Sequence, residues 1–194
     1  MVAPKPSSRA QDNPVDILLV DSRQLVRAGV ERVLSDSAGL TVSAAVANCD
    51  EAMRLARRQQ PQLILINLPG SSVELLDGAS KIRRQFPGIP VLVFVDESVP
   101  IIQERLLQAG VSGCVSNLCS VEELFAAIET VVKGERYISD SLARKLAERR
   151  LPGHRGSPFD KLTHRELQVF LLVAEGRSTS TIAQELCLSR KTVN

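Results

Sequence analysis

Aromatic rings are scarce in this sequence: five Phe, one Tyr and no Trp among 194 residues. Its core must therefore come from Leu, Ile, Val and Ala within a hydrophobic share of 44%. No stretch approaches the ~18 consecutive apolar residues of a membrane span, so no membrane partner is expected. The opening MVAPKPSSRAQDNP lacks the apolar segment of a secretion leader and reads as a flexible tail over residues 1–14. Cys49, Cys114, Cys119 and Cys187 show no C-x-x-C spacing. Without a leader they are expected to be reduced thiols in a cytoplasmic protein rather than disulfides. No G-x-G-x-x-G follows the first apolar run, which argues against dinucleotide binding. No G-x-S-x-G elbow supports a hydrolase. His154 and His164 stand alone and suggest neither zinc nor a catalytic base. No cofactor, no metal and no enzymatic activity are expected.

What is present is unevenly charged. Residues 1–135 carry 13 basic and 16 acidic side chains, net −3. Residues 136–194 carry 11 and 6, net +5. An acidic body followed by a basic C-terminal piece suits an anionic partner for that piece, though an ordinary solvated surface has the same look.

Short apolar runs recur at Ile17 to Val20, Leu40 to Val46, Leu63 to Ile66 and Ile89 to Val95, with a weaker one at Gly113 to Ser116. Nearly continuous Leu/Ile/Val is how strands buried on both faces of a parallel sheet read. Between them, helical spacing places Leu25, Val26, Val30, Val33 and Leu34 on one face of a helix over 23–35. Further helices are expected over 51–58, 73–86, 101–109 and 121–132. The expectation is an α/β, doubly wound domain with a five-stranded parallel sheet. In such a sheet, function sits at the carboxyl ends of the strands. Those ends are Asp21-Ser22, Asn67, Val95-Asp96 and Asn117. Asn67 closes the run LILIN before Pro69-Gly70, so a turn residue is its plain structural reading. A helix is expected over 139–149, capped by Ser139 or Asp140, then a linker over 150–158 where LPGHRGSP breaks the pattern.

The last segment, residues 159–194, is helical in pattern. Thr163 and Glu166 make a capping box that opens a helix ended by Gly176. Ser178 or Thr179 opens a second, and Ser189 a third that begins Arg190-Lys191-Thr192-Val193-Asn194. Two short helices, a tight turn and a third helix with a basic start form a helix-turn-helix pattern. A small helical bundle for protein contact has the same pattern.

The segment LTHRELQVFLLVAEGRSTSTIAQELCLSRKTVN resembles the LuxR-type DNA-binding domain of NarL/FixJ response regulators. The shared features are its Leu-Thr-x-Arg-Glu opening, Ala-Glu-Gly turn, Ile-Ala-x-x-Leu second helix and Leu-Ser-x-Lys-Thr-Val third helix. The first 135 residues resemble a receiver domain of the CheY-like, flavodoxin-like fold. RLLQAGVSGC and GERYIS look closest to the GacA/UvrY branch. The implied domains are a tail over 1–14, a receiver over 15–135, a linker helix and loop over 136–158, and a small all-α helix-turn-helix domain over 159–194. The resemblance implies DNA as partner, with Arg190, Lys191 and Thr192 on phosphates and Val193 and Asn194 toward bases. It also implies a homodimer, or a heterodimer with a related response regulator.

The chain departs from the family's chemistry, in which a receiver aspartate takes a phosphoryl group beside Mg²⁺ held by acidic neighbours. The acidic pair after the first strand is here Asp21-Ser22. The phosphoacceptor aspartate aligns with Asn67, the switch Ser/Thr with Val95, and the lysine before the last receiver helix with Asn117. An amide is not a nucleophile comparable to a carboxylate. One Asp with a Ser is a poor cage for Mg²⁺. Val95 has no hydroxyl and Asn117 no charge for a phosphoryl oxygen. The expectation is a degenerate receiver in which Asn67, Ser22 and Asn117 hydrogen-bond in place of the ion cluster. Asp21, Asp96 and Glu97 are expected as solvated loop acids, and Cys114 and Cys119 as small core or loop residues rather than a redox pair.

The function expected is a phosphorylation-independent transcription regulator. This sequence stops at Asn194, partway into the third helix, whereas the family continues for roughly fifteen more residues. The alternative is therefore a non-DNA-binding module that pairs with, or titrates, a full-length response regulator.

Overall fold

The structure, a computed structural model, describes residues 14–67, 72–97, 100–149 and 158–193. The expected tail up to residue 13, the Pro69-Gly70 turn, the linker stretch 150–157 and Asn194 lie outside the described residues.

Six parallel strands form one sheet: β1 (Val15–Val20), β2 (Leu40–Val46), β3 (Leu63–Ile66), β4 (Val91–Val95), β5 (Gly113–Ser116) and β6 (Tyr137–Ile138). Their order is β2-β1-β3-β4-β5-β6. The expected strands are all present, and the sheet gains a sixth. Tyr137 and Ile138 pair with Gly113 and Cys114 in parallel. Gly113 makes this approach feasible, since a Cβ there would lie 2.8 Å from the Tyr137 carbonyl oxygen. Two residues are too few to show a strand's alternation, which is why the sequence pattern left them in the linker.

The helices that cross between the strands cover both faces. They are α1 (Gln24–Ser35), α2 (Cys49–Gln59), α3 (Ser72–Gln85), α4 (Pro100–Gln108) and α5 (Val121–Val132). Because side chains alternate along a strand, each strand feeds two apolar cores. Leu18, Val20, Ile64, Ile66, Val93 and Val95 join α2, α3 and α4 residues in one. Ile17, Leu19, Leu63, Leu65, Leu92 and Phe94 join Leu34 of α1 and Leu124, Ile128 and Val131 of α5 in the other. In α1 the expected inward face is only partly inward. Leu34 is buried, but Leu25 is 86% exposed, and Val26 and Val33 are also exposed. Apolar spacing marked a stripe broader than the part that packs.

The helix after β6, α6 (Asp140–Glu148), buries Leu142 in the first core and runs against α4. Strand β6 and helix α6, expected in the linker, are thus packed onto the sheet domain. Ser139 is the N-cap of α6, although its side chain makes no capping bond.

A short 3₁₀ turn (Pro158–Lys161) leads into α7 (His164–Ala174), α8 (Thr179–Glu185) and α9 (Arg190–Val193). The capping box forms as expected: Thr163 accepts from the Glu166 backbone, and the Glu166 carboxylate accepts from Thr163 N. Ser178 and Ser189 cap the next two helices through Thr181 N and Thr192 N, each at 3.2 Å. The helical domain docks on α3 and α4. Leu167 enters the first core, and Gln168 Nε2 donates to Asp77 Oδ1 at 2.6 Å. The Arg105 guanidinium of α4 donates to the Leu162 carbonyl. Val73 of α3 joins Leu172, Ile182 and Leu186 in a third apolar cluster. No helix among the described residues is long and apolar enough to cross a membrane.

Candidate functional site

Asp21 and Asn67 stand just past the carboxyl ends of β1 and β3, and the sheet sets their spacing. Asp21 N donates to the Val46 carbonyl at 3.0 Å, and Asn67 N to the Val20 carbonyl at 2.8 Å. These ladder bonds carry both side chains into one pocket, where Asp21 is fully buried and Asn67 is 8% exposed. Asn67 Nδ2 donates to Asp21 Oδ2 at 2.7 Å.

Arg23 completes the cluster. Its backbone N and its Nε donate to Asp21 Oδ1 at 2.8 and 3.2 Å, and its Nη2 donates to Oδ2 at 3.1 Å. Arg27, one turn into α1, donates from Nη1 to the Asp21 carbonyl at 2.6 Å. The carboxylate is therefore paired and hydrogen-bonded, as a buried charge must be. Sequence reasoning missed Arg23. Its only signal was a basic residue directly after Asp21-Ser22, where a second charge could fold back.

The other expected members lie elsewhere. Ser22 and Asn117 are exposed, and the partner of Asn67 is Asp21 rather than either of them. Val95 is 2% exposed within the first apolar core. Asp21 is not the solvated acid expected from its loop position. Glu97 is also engaged. Its carboxylate accepts from Lys145 Nζ at 2.8 Å and from the Ser141 hydroxyl at 2.7 Å, and both donors lie on α6. Those hydrogen bonds hold its pKa down at about 2, the Lys145 contact contributing most. Asp96 lends its carbonyl to the buried Gln103 amide at 3.1 Å.

The residues present do not fit the Mg²⁺ ion of the receiver family. Asp21 already accepts four N–H bonds, Ser22 is neutral and exposed, and Asn67 turns an N–H toward Asp21. Among the described residues, no group of three or more His, Cys, Asp or Glu side chains is placed to hold a metal ion. Burial pushes the Cys114 thiol up to about 12 and also raises Cys119, so neither is a ready thiolate. His154 lies outside the described residues.

At the other end of the chain, Arg190, Lys191 and Thr192 are exposed on the first turn of α9. Val193 differs from expectation. It is half-buried and packs against the third apolar cluster, so it anchors α9 instead of presenting its side chain outward. Cys187, in the turn before α9, has a left-handed φ of 52°.

Two family models match the chain. The response regulator receiver domain matches residues 17–129, and the bacterial regulatory proteins of the luxR family match residues 160–194. Response regulator GacA of Pseudomonas aeruginosa is 35% identical over 181 residues, covering 93% of this chain and 85% of that protein. Response regulator UvrY of Escherichia coli K12 is 30% identical over 181 residues, covering 93% and 83%. A LuxR-family two-component response regulator from Aurantimonas sp. superimposes with a TM-score of 0.66 at 30% identity, over 72% of this chain and 100% of that one. RcsB of Salmonella typhimurium superimposes at 0.73 with 21% identity, over 93% and 86%. Another RcsB structure, two dimers bound to two parallel DNAs, superimposes at 0.63 with 22% identity, over 93% and 87%. At that identity the RcsB matches show the fold alone.

Proposed function

Because the chain belongs to the response regulators that join a receiver domain to a luxR-family helix-turn-helix, we propose that it is a cytoplasmic DNA-binding transcription regulator whose receiver works without aspartyl phosphate. The observation that carries this reading is the Asn67 amide at the mouth of β3, donating to Asp21 at 2.7 Å. Aspartyl phosphorylation needs a carboxylate oxygen to attack phosphorus and form an acyl phosphate. A carboxamide offers no such oxygen, and the nitrogen of this one donates to Asp21. Val95 lies in the core and Asn117 is neutral, so nothing at those positions neutralises a phosphoryl group.

On the DNA side, Arg190, Lys191 and Thr192 are the phosphate contacts, supported by their exposure on the first turn of α9. Asn194 is the residue assigned to a base edge, since an amide can donate and accept at once. The regulator acts as a dimer, with a second copy or a related response regulator, reading half-sites about one DNA turn apart. RcsB, solved as dimers on DNA, shares the fold.

The test has two arms. Incubation with acetyl phosphate and Mg²⁺ leaves the intact mass unchanged; a gain of one phosphoryl group overturns the silent-receiver reading. DNA affinity measured against salt falls steeply, as counterion release requires. A flat profile overturns the DNA-binding reading.

A further inference from the structure

We propose that the Arg23 guanidinium is the resident cation of the receiver pocket and that it closes the pocket to divalent metal ions. The inference deepens the silent-receiver reading and rests on it. That reading concerns the missing nucleophile; this one concerns the missing metal.

The argument is a count of lone pairs. An ionised carboxylate has about four acceptor sites, two on each oxygen. Asp21 Oδ1 accepts from Arg23 N and Arg23 Nε, and Oδ2 accepts from Arg23 Nη2 and Asn67 Nδ2. Two donors on each oxygen fill the complement. Mg²⁺ demands near-octahedral oxygen ligands at about 2.0–2.1 Å, so it would have to evict at least one of these donors. It would also have to lie beside a guanidinium that already neutralises the carboxylate. A planar fork gripping both oxygens is the bidentate geometry that a guanidinium provides and an ammonium does not.

Local structure holds the fork in place. Arg23 is the N-cap of α1, yet its side chain makes no capping bond and reaches back to Asp21 instead. Arg27 ties the first turn of α1 to the Asp21 carbonyl at 2.6 Å. Three elements therefore meet on one carboxylate: β1 through Asp21, β3 through Asn67 and α1 through Arg23. The Arg23 side chain is 43% exposed, so its truncation opens a path to water rather than a hole in the core.

The experiment restores the family's acidic pair and then removes the guanidinium. Free Mn²⁺ is followed by electron paramagnetic resonance on the full chain and on three variants: S22D, S22D/R23A and S22D/R23Q. Circular dichroism verifies folding. Loss of charge-assisted bonds to Asp21 predicts that S22D/R23A binds Mn²⁺ at least about tenfold tighter than S22D. S22D/R23Q, which keeps a donor but no charge, follows S22D/R23A if charge is what excludes the metal. Adding Asp21→Asn to S22D/R23A abolishes the gain. Equal Mn²⁺ affinity of S22D and both Arg23 variants overturns the inference, as does Mn²⁺ binding by the unaltered chain that Asp21→Asn removes. Neither result adds a phosphoryl group, so failure here is distinguishable from failure of the silent-receiver reading, which shows as a mass gain with acetyl phosphate.

Discussion

Asn67 reaches across from β3 to β1 and donates its side-chain N–H to Asp21 Oδ2 at 2.7 Å. One nitrogen thus decides the character of the pocket. An oxygen in its place would set two buried carboxylates in contact.

That contact yields the first prediction. Asn67→Asp removes a donor and adds a second negative charge beside a fully buried one. We expect a loss of about 1–3 kcal/mol at neutral pH, the scale of leaving a buried polar group unsatisfied. Like charges raise the pKa of one member of such a pair. A raised folded-state pKa means that the folded protein holds a proton the unfolded chain has released, so stability recovers as pH falls. Urea unfolding of both proteins at neutral and mildly acidic pH reads the sign directly. The mass after acetyl phosphate treatment of Asn67→Asp is expected to stay unchanged, because Arg23 remains in place.

A second prediction concerns packing between α2 and α3. A Cβ on Gly78 would lie 2.3 Å from Cys49 Sγ and 2.9 Å from Cys49 Cβ. Gly78→Ala should cost about 1–3 kcal/mol through overpacking, despite the better helix propensity of Ala. Cys49→Ala removes the sulfur, so Gly78→Ala made in that background should be neutral or stabilising. A thermal-melt double-mutant cycle that shows no coupling between the two sites would contradict the clash. Cys49 is a core thiol, pushed up to about 12 chiefly by burial, and alkylating reagents should leave it unmodified in the folded chain.

Third, the contact between Glu97 and α6 sets an acid limb in stability. The Lys145 ammonium, then the hydroxyls of Ser141 and Ser116, lower the Glu97 pKa from 4.5 to about 2. A depressed folded-state pKa stabilises the fold above the unfolded value and loses that contribution as pH falls. The contribution is therefore whole above pH 4.5 and fades toward pH 2. Glu97→Gln should cost about 1 kcal/mol or less at neutral pH, as partly exposed ion pairs do. Its stability should also vary less with pH in that window than that of the unaltered chain.

Fourth, Arg190→Ala and Lys191→Ala should each weaken DNA binding by a similar factor on every sequence tested. Each should reduce the slope of log affinity against log salt by about one. A change confined to one base position would assign the residue to base reading instead.

How much of this was legible in the sequence follows from what each signal depends on. Strands β1, β3 and β4 were readable because strands buried on both faces carry nearly unbroken Leu/Ile/Val, while β2 (LTVSAAV) and β5 (GCVS) gave weaker runs. Strand β6 was not readable, since Tyr137-Ile138 joins the sheet through Gly113 and Cys114, partners more than twenty residues away. Leu25 has the right spacing for an inward face, but spacing alone does not locate where the neighbouring helix ends. Asn67 was legible as a polar residue at the carboxyl end of β3. Its hydrogen-bond partner was not: Ser22 and Asn117 were expected, and it is Asp21, on the neighbouring strand's end, that accepts. Val193 was assigned outward from its place in a motif, while its apolar side chain followed the nearest core.

Val73 belongs to the sheet domain, yet it lies 6% exposed inside the cluster formed by Leu172, Ile182 and Leu186. The DNA-reading half is thus missing one wall of its interior unless its neighbour supplies it. Any event that swings the two halves apart must wet that valine and the leucines facing it, roughly 2 kcal/mol for the valine alone. That apolar seam is the barrier a partner separating the two halves would have to overcome.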